Sequence, residues 1–520
     1  MNRIIYTIIL SSLITLSYSQ HTNVMISDDN YPEEPSICLN YLNPNYIVAG
    51  SNIDNCYFST DAGLTWTYKK LTSTYGVWGD PAIISDKYGN FYFLHLSNPD
   101  EGEWIDRIVC QKSTDQGANW NNGSFLGTPS SKEHDKQWAT VDFSNNTIYA
   151  TWTLFDFYGS SSSNDKSNIL FSKSTDNGET WTEPKQINEL SGDCVDDDNT
   201  TEGAVPAVGP NGEVYVAWAN NNKLYFDKSY DAGETWLDND ILIGDQPGGW
   251  AYDVPGISRC NGLPITCCDT SSSAHRGTIY VNWTDQRNGT ENTDVWLSKS
   301  SNGGNTWSDA IKINNDETAS HQFFTWMTID QSNGYLYFVF YDRRNYTTLY
   351  TDVYMAVSKD GGETFENFKI SEKPFLPNSG VFFGDYTNIT AYNDIIRPIW
   401  TRLHNGDGES GLSVWTAIIK TDSIGVNYSE QLLTKENEIF PNPSSEMNYF
   451  SFKLKHATHV KLDLCDASGR IIKQLINEER PAGKYISSIN IKNENLISGI
   501  YFYSLTTDFN KSTRKLIVTE

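Results

Sequence analysis

An eight-residue segment of the form Ser-x-Asp-x-Gly-x-Thr-Trp occurs six times in this chain, each time just after a short alternating apolar segment. Two copies carry one substitution at the Asp or Thr position, and one copy ends in Phe. The copies are Ser59–Trp66, Ser113–Trp120, Ser174–Trp181, Ser229–Trp236, Ser300–Trp307 and Ser358–Phe365. Their third positions are 54 to 71 residues apart, which suits one four-stranded propeller blade with its loops. The repeat therefore predicts a β-propeller.

The repeated segment has a structural logic of its own. Its Asp can accept hydrogen bonds from the backbone of the same turn, its Gly permits a positive φ, and its Ser and Thr hydroxyls tie the bend. We therefore expect the repeat carboxylates to be scaffold rather than catalytic groups. They are Asp61, Asp115, Asp176, Asp231 and Asp360.

The strand pattern predicts an all-β chain with two domains. Strand pairs count to seven units over residues 20–430, the seventh without the repeat, so we predict a seven-bladed propeller, with six blades as the alternative. After Thr434 tryptophan disappears and Phe440-Pro441-Asn442-Pro443 opens a new set of short strands. We predict a small β-sandwich over residues 436–520.

The ends and the charge of the chain restrict its location and partners. Arg3, the apolar run Ile4 to Leu16 and the small residues before Gln20 predict a secretory signal peptide over residues 1–19. No other stretch is apolar enough for a membrane span. The net charge of −27 argues against nucleic acid as a partner. The eight cysteines are compatible with export and some disulfides, and Cys38 and Cys56 could pair.

An acidic residue stands just before the innermost predicted strand in six of the seven units. If these strands line a common channel, their carboxylates form a ring at one mouth, where repulsion and burial raise some pKa values and create candidate acids and bases. The alternative is that the side chains cap turns. The six are Glu34, Asp80, Asp135, Glu202, Asp253 and Asp385, with His321-Gln322 in the sixth unit.

Arginines occur in the loops expected at the same mouth, between the second and third strands of the units. Arginine and carboxylate side chains often form structural forks, but convergent arginines can also hold a substrate carboxylate in a bidentate manner. The cations of these loops are Arg107, Arg287, Arg343, Arg344, Arg402 and His404.

Residues 21–430 resemble the sialidase superfamily, also called Asp-box or BNR-repeat proteins, and the six repeats carry the likeness. The resemblance implies a site on the face opposite the repeats, where three arginines hold the substrate, a Tyr–Glu pair supplies the nucleophile and an Asp is the general acid. By position, the three clamp arginines would be Arg287, either Arg343 or Arg344, and Arg402. The nucleophile pair would be Tyr386 with Glu202, and the general acid would be Asp80. Glu34, Asp135, Asp253 and Asp385 would complete the substrate site.

One part of the family pattern is missing. Sialidases begin their first blade with Arg-Ile-Pro, whereas this chain has Glu33-Glu34-Pro35-Ser36-Ile37, an acid where a clamp arginine is needed. Three hypotheses follow. The first is a sialidase-like glycoside hydrolase that acts on extracellular glycans or glycoproteins, and it includes a glycosidase that uses two carboxylates. The second is a non-catalytic surface propeller that binds glycan or protein, and the third is a structural assembly factor.

The last ~80 residues resemble the C-terminal sorting domain of type IX secretion substrates. Four elements carry the likeness: Asn442-Pro443, Gly469-Arg470, Ser498 to Tyr501, and Lys515 to Val518. The resemblance implies export to the periplasm, recognition by the type IX secretion machinery, and release or attachment at the cell surface.

An acidic run, Asp193 with Asp196, Asp197 and Asp198, lies in the loop between the third and fourth units. Clustered carboxylates suit Ca²⁺, but the spacing of a calcium loop with its central Gly is absent. We expect a solvated loop, with a structural calcium ion as the alternative, and no other cofactor or metal.

Overall fold

The computed structural model describes residues 21–127, 131–404, 408–421, 438–454, 458–481, 483–494, 496–507 and 511–519. The predicted signal peptide lies outside these residues. The chain divides into two compact units, 1–421 and 422–520. Apart from a short 3-10 helix at Gly408–Gly411, the regular elements of the described residues are strands, which confirms the all-β class.

The first unit contains seven four-stranded antiparallel sheets within its described residues. Strand β1 (Thr22–Ser27) comes first in the chain but belongs to the last sheet. The first three sheets follow one another along the sequence. They are β2 (Ser36–Leu39), β3 (Ile47–Ser51), β4 (Asn55–Ser59) and β5 (Thr67–Lys70); β6 (Ala82–Ser85), β7 (Phe91–Leu96), β8 (Ile108–Ser113) and β9 (Ser124–Leu126); and β10 (Glu133–Asp142), β11 (Thr147–Phe155), β12 (Ser167–Ser174) and β13 (Lys185–Gln186).

The remaining four sheets continue in the same order, and each is built from consecutive strands except the last, which takes β1 as its fourth strand. They are β14 (Glu202–Val208), β15 (Val214–Asn220), β16 (Lys223–Ser229) and β17 (Ile241–Asp245); β18 (Ile265–Cys268), β19 (Ile279–Asp285), β20 (Asp294–Ser300) and β21 (Ile311–Lys312); β22 (Gln322–Asp330), β23 (Tyr335–Asp342), β24 (Asp352–Ser358) and β25 (Glu366–Lys369); and β26 (Asn388–Tyr392), β27 (Ile395–Leu403) and β28 (Leu412–Lys420).

The first strands of the seven sheets surround one space. Each contacts the first strand of the next sheet, and β26 of the last sheet contacts β2 of the first. Residues of all seven first strands line a common cavity of about 570 Å³. Strand β1 pairs antiparallel with β28, Thr22 opposite Ile418, so the two ends of this unit share a sheet.

The six repeats form the turns between the third and fourth strands of their sheets. In the first copy, Gly63 N donates to Ser59 Oγ at 2.8 Å, and Thr65 donates to Asp61 through N at 2.9 Å and through Oγ1 at 2.7 Å. The other copies repeat this pattern with small variations. These contacts fit the scaffold role expected for the repeat carboxylates.

All eight cysteines are free thiols, so the pairing of Cys38 with Cys56 is wrong. Cys38 lies on β2 and Cys56 on β4, with β3 between them. Two strand spacings of ~4.8 Å separate the two backbones, which is beyond the reach of a disulfide.

The second unit has two antiparallel sheets in its described residues, ordered β29-β30-β33 and β32-β31-β34-β35. Phe450 and Phe452 of the first sheet share one buried cluster with Leu462, Tyr503 and Leu516 of the second. The strands are β29 (Glu438–Phe440), β30 (Met447–Leu454), β31 (Thr458–Asp466), β32 (Ile471–Arg480), β33 (Gly483–Asn490), β34 (Gly499–Thr507) and β35 (Lys511–Val518).

Two parts of the predicted sorting signature contact each other in this unit. Asn442 Nδ2 donates to Lys515 O at 2.7 Å, and Ile517 N donates to Asn442 Oδ1 at 2.8 Å. The Asn442 side chain thus holds the chain that precedes β30 against the last strand.

Candidate active site

A recurring backbone bend marks the point where the first strand of a sheet begins. Glu34, Asp80, Lys136 and Phe324 have φ near +50° there, and Gly203 and Gly384 also have positive φ. Non-glycine residues seldom adopt this conformation, and it breaks the regular register in β10, β14 and β22. Such bends re-aim side chains next to active sites. The sequence offered no signal for them.

The bends bring carboxylates of different sheets around one lysine. Lys136 Nζ lies 2.9 Å from Asp385 Oδ2, 3.3 Å from Asp80 Oδ2 and 3.7 Å from Asp135 Oδ2. The Lys136 side chain is only 6% exposed, and a buried ammonium needs such partners. Although burial opposes its charge, Asp135, Asp385 and Asp80 raise the pKa of Lys136 well above its ordinary value. Lys136 is therefore a permanent cation. We call Lys136 and its carboxylates Glu34, Asp80, Asp135, Glu202 and Asp385 the Lys136 cluster.

Glu34 joins this cluster from the first sheet. Its Oε1 accepts from Asp385 N at 3.1 Å and its Oε2 accepts from Asn52 Nδ2 at 2.5 Å. Gly384 allows this approach, because a Cβ there would lie 2.7 Å from Glu34 N. Burial and then the Asp80 carboxylate raise the pKa of Glu34 well above its ordinary value.

Glu202 is fully buried at the start of β14. Its Oε2 accepts from Thr153 Oγ1 at 3.2 Å, whereas Oε1 has no hydrogen-bond partner. Burial first, then Asp196 and Asp135, raise its pKa well above the ordinary value.

The electrostatics of the remaining three carboxyls differ. Burial is the main cause that raises the pKa of Asp135 to about 7; the Lys136 ammonium opposes this shift and the Asp80 carboxylate adds to it. Burial is the largest influence on Asp80 and Asp385 and opposes their ionisation. Lys136, together with hydrogen bonds to Asp80 and the Arg259 guanidinium beside Asp385, nevertheless holds both pKa values below the ordinary value. One cluster thus holds carboxyls with raised pKa values beside carboxyls with lowered ones, which is how enzymes separate acid from base roles.

Arg259, which the sequence reasoning missed, covers the Lys136 cluster from the loop between β17 and β18. Its Nε donates to Asp385 Oδ1 at 2.9 Å, Nη2 contacts Asp385 Oδ2, and Nη1 lies 3.3 Å from Asp196 Oδ2. Its guanidinium lies 5.0 Å from the ring centroid of Phe382. The only sequence signal was a cation beside Cys260 in an otherwise unassigned loop.

Asp196 departs from the expectation of a solvated acidic run. Besides Arg259, it accepts from Tyr158 OH at 2.7 Å, and Tyr158 packs edge-on against Trp104. Two other members of the run point elsewhere: Asp193 accepts from Thr200, and Asp198 accepts from Ala251 N. The described residues contain no group of three or more His, Cys, Asp or Glu side chains placed to hold a metal.

A cavity of about 280 Å³ opens over the Lys136 cluster. Lys136 and Asp385 form part of its wall, together with Asp196, Asp197, Arg259, Asn261 and Trp250. The wall is thus rich in charge and has one large aromatic side chain. This cavity is distinct from the 570 Å³ cavity. Among the first strands, the aromatic rings of Trp138, Trp326 and Tyr386 pack against one another, with ring centroids 4.3 to 6.1 Å apart.

The four predicted clamp arginines do not line this cavity. Arg287 pairs with Asp285 and Arg344 with Asp342, each on its own sheet. Arg402 lies over the ring of Trp415. Arg343 is buried, and its Nη1 donates to Pro255 O at 2.7 Å and its Nε to Thr351 Oγ1 at 3.0 Å. The structure does not bring these arginines together.

Two further predicted site residues depart from expectation. Asp253 is exposed, twelve residues before β18, and therefore lies outside the Lys136 cluster. Tyr386 is 3% exposed and its hydroxyl has no hydrogen-bond partner. Burial, followed by the nearby Asp80 and Glu34, raises its pKa well above the ordinary value. A phenol held neutral in this way is a poor nucleophile.

Comparison with known proteins gives one family match and several distant relatives. Residues 438–519 match the secretion system C-terminal sorting domain, which confirms the type IX sorting domain and makes this a secreted or cell-surface protein. A sialidase from Paraclostridium sordellii is 26% identical over 290 residues, covering 46% of this chain and 68% of the relative. No helix among the described residues is long and apolar enough to cross a membrane.

Solved structures show more distant likeness. The NanB sialidase from Streptococcus pneumoniae is 9% identical, with 73% of this chain and 83% of that chain covered at a TM-score of 0.44. An α-L-arabinanase from Penicillium chrysogenum is 15% identical, with 66% of this chain and 99% of that chain covered at a TM-score of 0.40.

Proposed function

We propose that this protein is an extracellular carbohydrate-active enzyme: a seven-bladed propeller that cleaves glycosidic bonds at the Lys136 cluster, followed by a sorting β-sandwich. One observation carries the proposal. Asp135, with a pKa of about 7, and the ionised Asp385 contact the same ammonium. The similarity to a curated sialidase supports glycan chemistry.

The proposed reaction uses the carboxyls in different roles. Asp135 transfers its proton to the glycosidic oxygen as the bond from that oxygen to the sugar carbon breaks. Asp385, whose carboxylate lines the cavity, stabilises the positive charge that develops on the sugar ring. Water then adds to the sugar carbon and returns a proton to Asp135. Asp80, hydrogen-bonded to Asp135, orients the acid. The sequence reasoning had assigned the acid role to Asp80.

A sialidase-type reaction lacks support at this site. It needs three convergent arginines and an activated tyrosine, whereas Arg287 and Arg344 pair with carboxylates of their own sheets and Tyr386 is a buried neutral phenol. Two-carboxylate cleavage, the other glycosidase hypothesis, fits the contacts better.

Non-catalytic binding of glycan or protein is the second candidate. Glu202 is 0% and Asp385 2% exposed, and buried, paired charges of this kind also occur in purely structural networks. In that case the cavity binds a ligand without turnover.

Assay of the purified mature chain against a panel of chromogenic glycosides tests the proposal. We expect turnover of at least one glycoside, and Asp135→Asn should lower kcat by ~10²-fold or more. Asp227→Asn is the matched control, because burial also raises the pKa of Asp227 to about 7 but it lies on β16 and accepts from Lys228 N and Leu237 N. Unchanged kcat in Asp135→Asn would remove Asp135 as the acid. Glycan binding without cleavage would favour the second candidate.

A further inference from the structure

The cavity over the Lys136 cluster has an unusual balance of charge for a glycan site. Its wall holds two cations, Lys136 and Arg259, and three carboxylates, Asp196, Asp197 and Asp385. Asp80, outside the wall, also contacts Lys136. The whole chain has a net charge of −27, so its wider field does not offset this local excess. An anionic ligand would enter a region that is already negative.

Arg259 is the cation best placed to meet a ligand, since its side chain is 40% exposed. A guanidinium holds a carboxylate through one of two edges, either Nε with Nη2 or Nη1 with Nη2. Asp385 occupies the first edge, and Asp196 engages Nη1 of the second. Neither edge is free for a ligand carboxylate.

Lys136 is committed in the same way. It lies within hydrogen-bond distance of Asp385 at 2.9 Å and of Asp80 at 3.3 Å, and Asp135 adds an ion pair at 3.7 Å. A ligand anion beside Lys136 would therefore join three carboxylates that already share this ammonium, and displacing one of them would leave a buried charge without its partner.

What the cavity does offer is hydrogen-bond acceptors and an aromatic wall. The carboxylates of Asp196, Asp197 and Asp385 accept hydrogen bonds from hydroxyl groups, and Trp250 contributes an apolar surface of the kind on which sugar rings pack. These are the features that recognise an uncharged, hydroxyl-rich ring.

We infer that the sugar unit bound in this cavity is neutral and carries no carboxylate or sulfate. The inference rests on the proposed function and specifies its substrate class. It departs from what the similarity to sialidases would suggest, because the site has no free cation edge to hold an acidic sugar.

Matched substrate pairs test the inference on the full mature chain. A glucoside and a glucuronide, or a galactoside and a galacturonide, differ only in a carboxylate at C6, and immobilised glycans with and without terminal sialic acid extend the comparison to binding. We expect the neutral member of each pair to be cleaved or bound at least tenfold better. Equal or better handling of the acidic members would overturn the inference.

Two variants examine the electrostatic cause. Asp196→Asn removes a rim charge and frees Arg259 Nη1, and Asp197→Asn removes the neighbouring charge while keeping an oxygen to accept from Asp198 N. Each should narrow the neutral-to-acidic ratio severalfold. Asp193→Asn, in the same run but bonded to Thr200, should leave the ratio unchanged. Equal neutral-to-acidic ratios in all three variants would show that the charges of Asp196 and Asp197 do not cause the preference.

The two proposals fail in different ways. If neither neutral nor acidic glycans are bound or cleaved, the proposed function is wrong and this inference fails with it. If glycans are handled but the acidic ones are preferred, only the inference fails.

Discussion

Lys136 Nζ lies 2.9 Å from Asp385 Oδ2, although Lys136 belongs to the third sheet and Asp385 precedes the seventh. Both side chains are almost completely buried. The contact therefore joins two residues that are 249 positions apart in the sequence, and it does so through charge rather than through apolar packing.

Lys136→Met should strongly destabilise the first unit. The variant leaves Asp80 and Asp385 buried without the shared ammonium, and removing one partner of a buried ion pair costs ~3–5 kcal/mol. Urea unfolding followed by tryptophan fluorescence measures the loss. Lys70→Met is the control, because its pair with Asp54 is exposed and contributes little to stability. Equal stability of the two variants would show that the Lys136 pairs contribute little.

Asp135 should make the protein less stable as the pH rises from about 4 to about 7. Its pKa is raised from 3.8 to about 7 in the folded state. Between these two pH values the unfolded chain loses the Asp135 proton while the folded chain keeps it, so the free energy of unfolding falls as the pH rises. The effect is on the order of 4 kcal/mol and is complete above pH 7. Asp135→Asn removes it, so the variant should gain stability relative to the native protein between pH 4.5 and 7.5. If the free energies of unfolding of the variant and the native protein changed in parallel with pH, the raised pKa of Asp135 would be contradicted.

The same titration should appear in the activity. If Asp135 is the acid, kcat falls as the pH rises through about 7, because the proton it donates is lost. A rate profile from pH 5 to 9 on any cleaved glycoside measures the descending limb. A limb well above pH 8 would point to a different acid.

Tyr386→Phe should keep both fold and turnover. The Tyr386 hydroxyl is buried without a hydrogen-bond partner, so its removal leaves the packing against Trp138 intact and relieves an unsatisfied polar group worth ~1 kcal/mol. Steady-state kinetics and thermal unfolding check the two expectations. Loss of turnover in a folded Tyr386→Phe variant would restore the tyrosine nucleophile that the family resemblance implies.

The repeat carboxylates should matter for stability alone. Asp176→Ala removes the acceptor for Thr180 N and Thr180 Oγ1, at 2.9 and 2.5 Å, and should cost ~1–2 kcal/mol with unchanged kcat. The chain contains its own control: Asn302 replaces Asp in the fifth repeat and still accepts from Thr306 N at 3.1 Å. Asp176→Asn should therefore retain most of the stability. A fall in kcat in a folded Asp176→Ala variant would contradict the scaffold role.

The sequence predicted the regular parts of the molecule well, because they are written in local patterns. Counting strand pairs predicted seven units, with six as the alternative, and seven four-stranded sheets occupy the described part of residues 21–421. Strand alternation and turn residues determine such sheets within a few positions. The sorting signature was predicted from short local matches, and the structure adds that two of its residues, Asn442 and Lys515, contact each other although they are 73 residues apart.

The site was only partly predictable, because its contacts join distant segments. Counting acids before first strands identified Asp80, Asp135 and Asp385, but the cations that hold them, Lys136 and Arg259, follow no repeat. The left-handed bend at Lys136 turns the residue after the predicted acid towards the cluster. The arginines were predicted from loop position alone, and carboxylates of their own sheets paired with Arg287 and Arg344 instead.

The pairing of β1 with β28 has a consequence for how the chain is made. Residues 22–27 must wait for a partner that is synthesised almost 400 residues later, so the first unit cannot close its last sheet until nearly all of it has left the ribosome. Contacts over such a distance are the slowest to form, and the incomplete sheets expose strand edges in the meantime. Deleting residues 22–27 would leave the edge of β28 permanently uncovered.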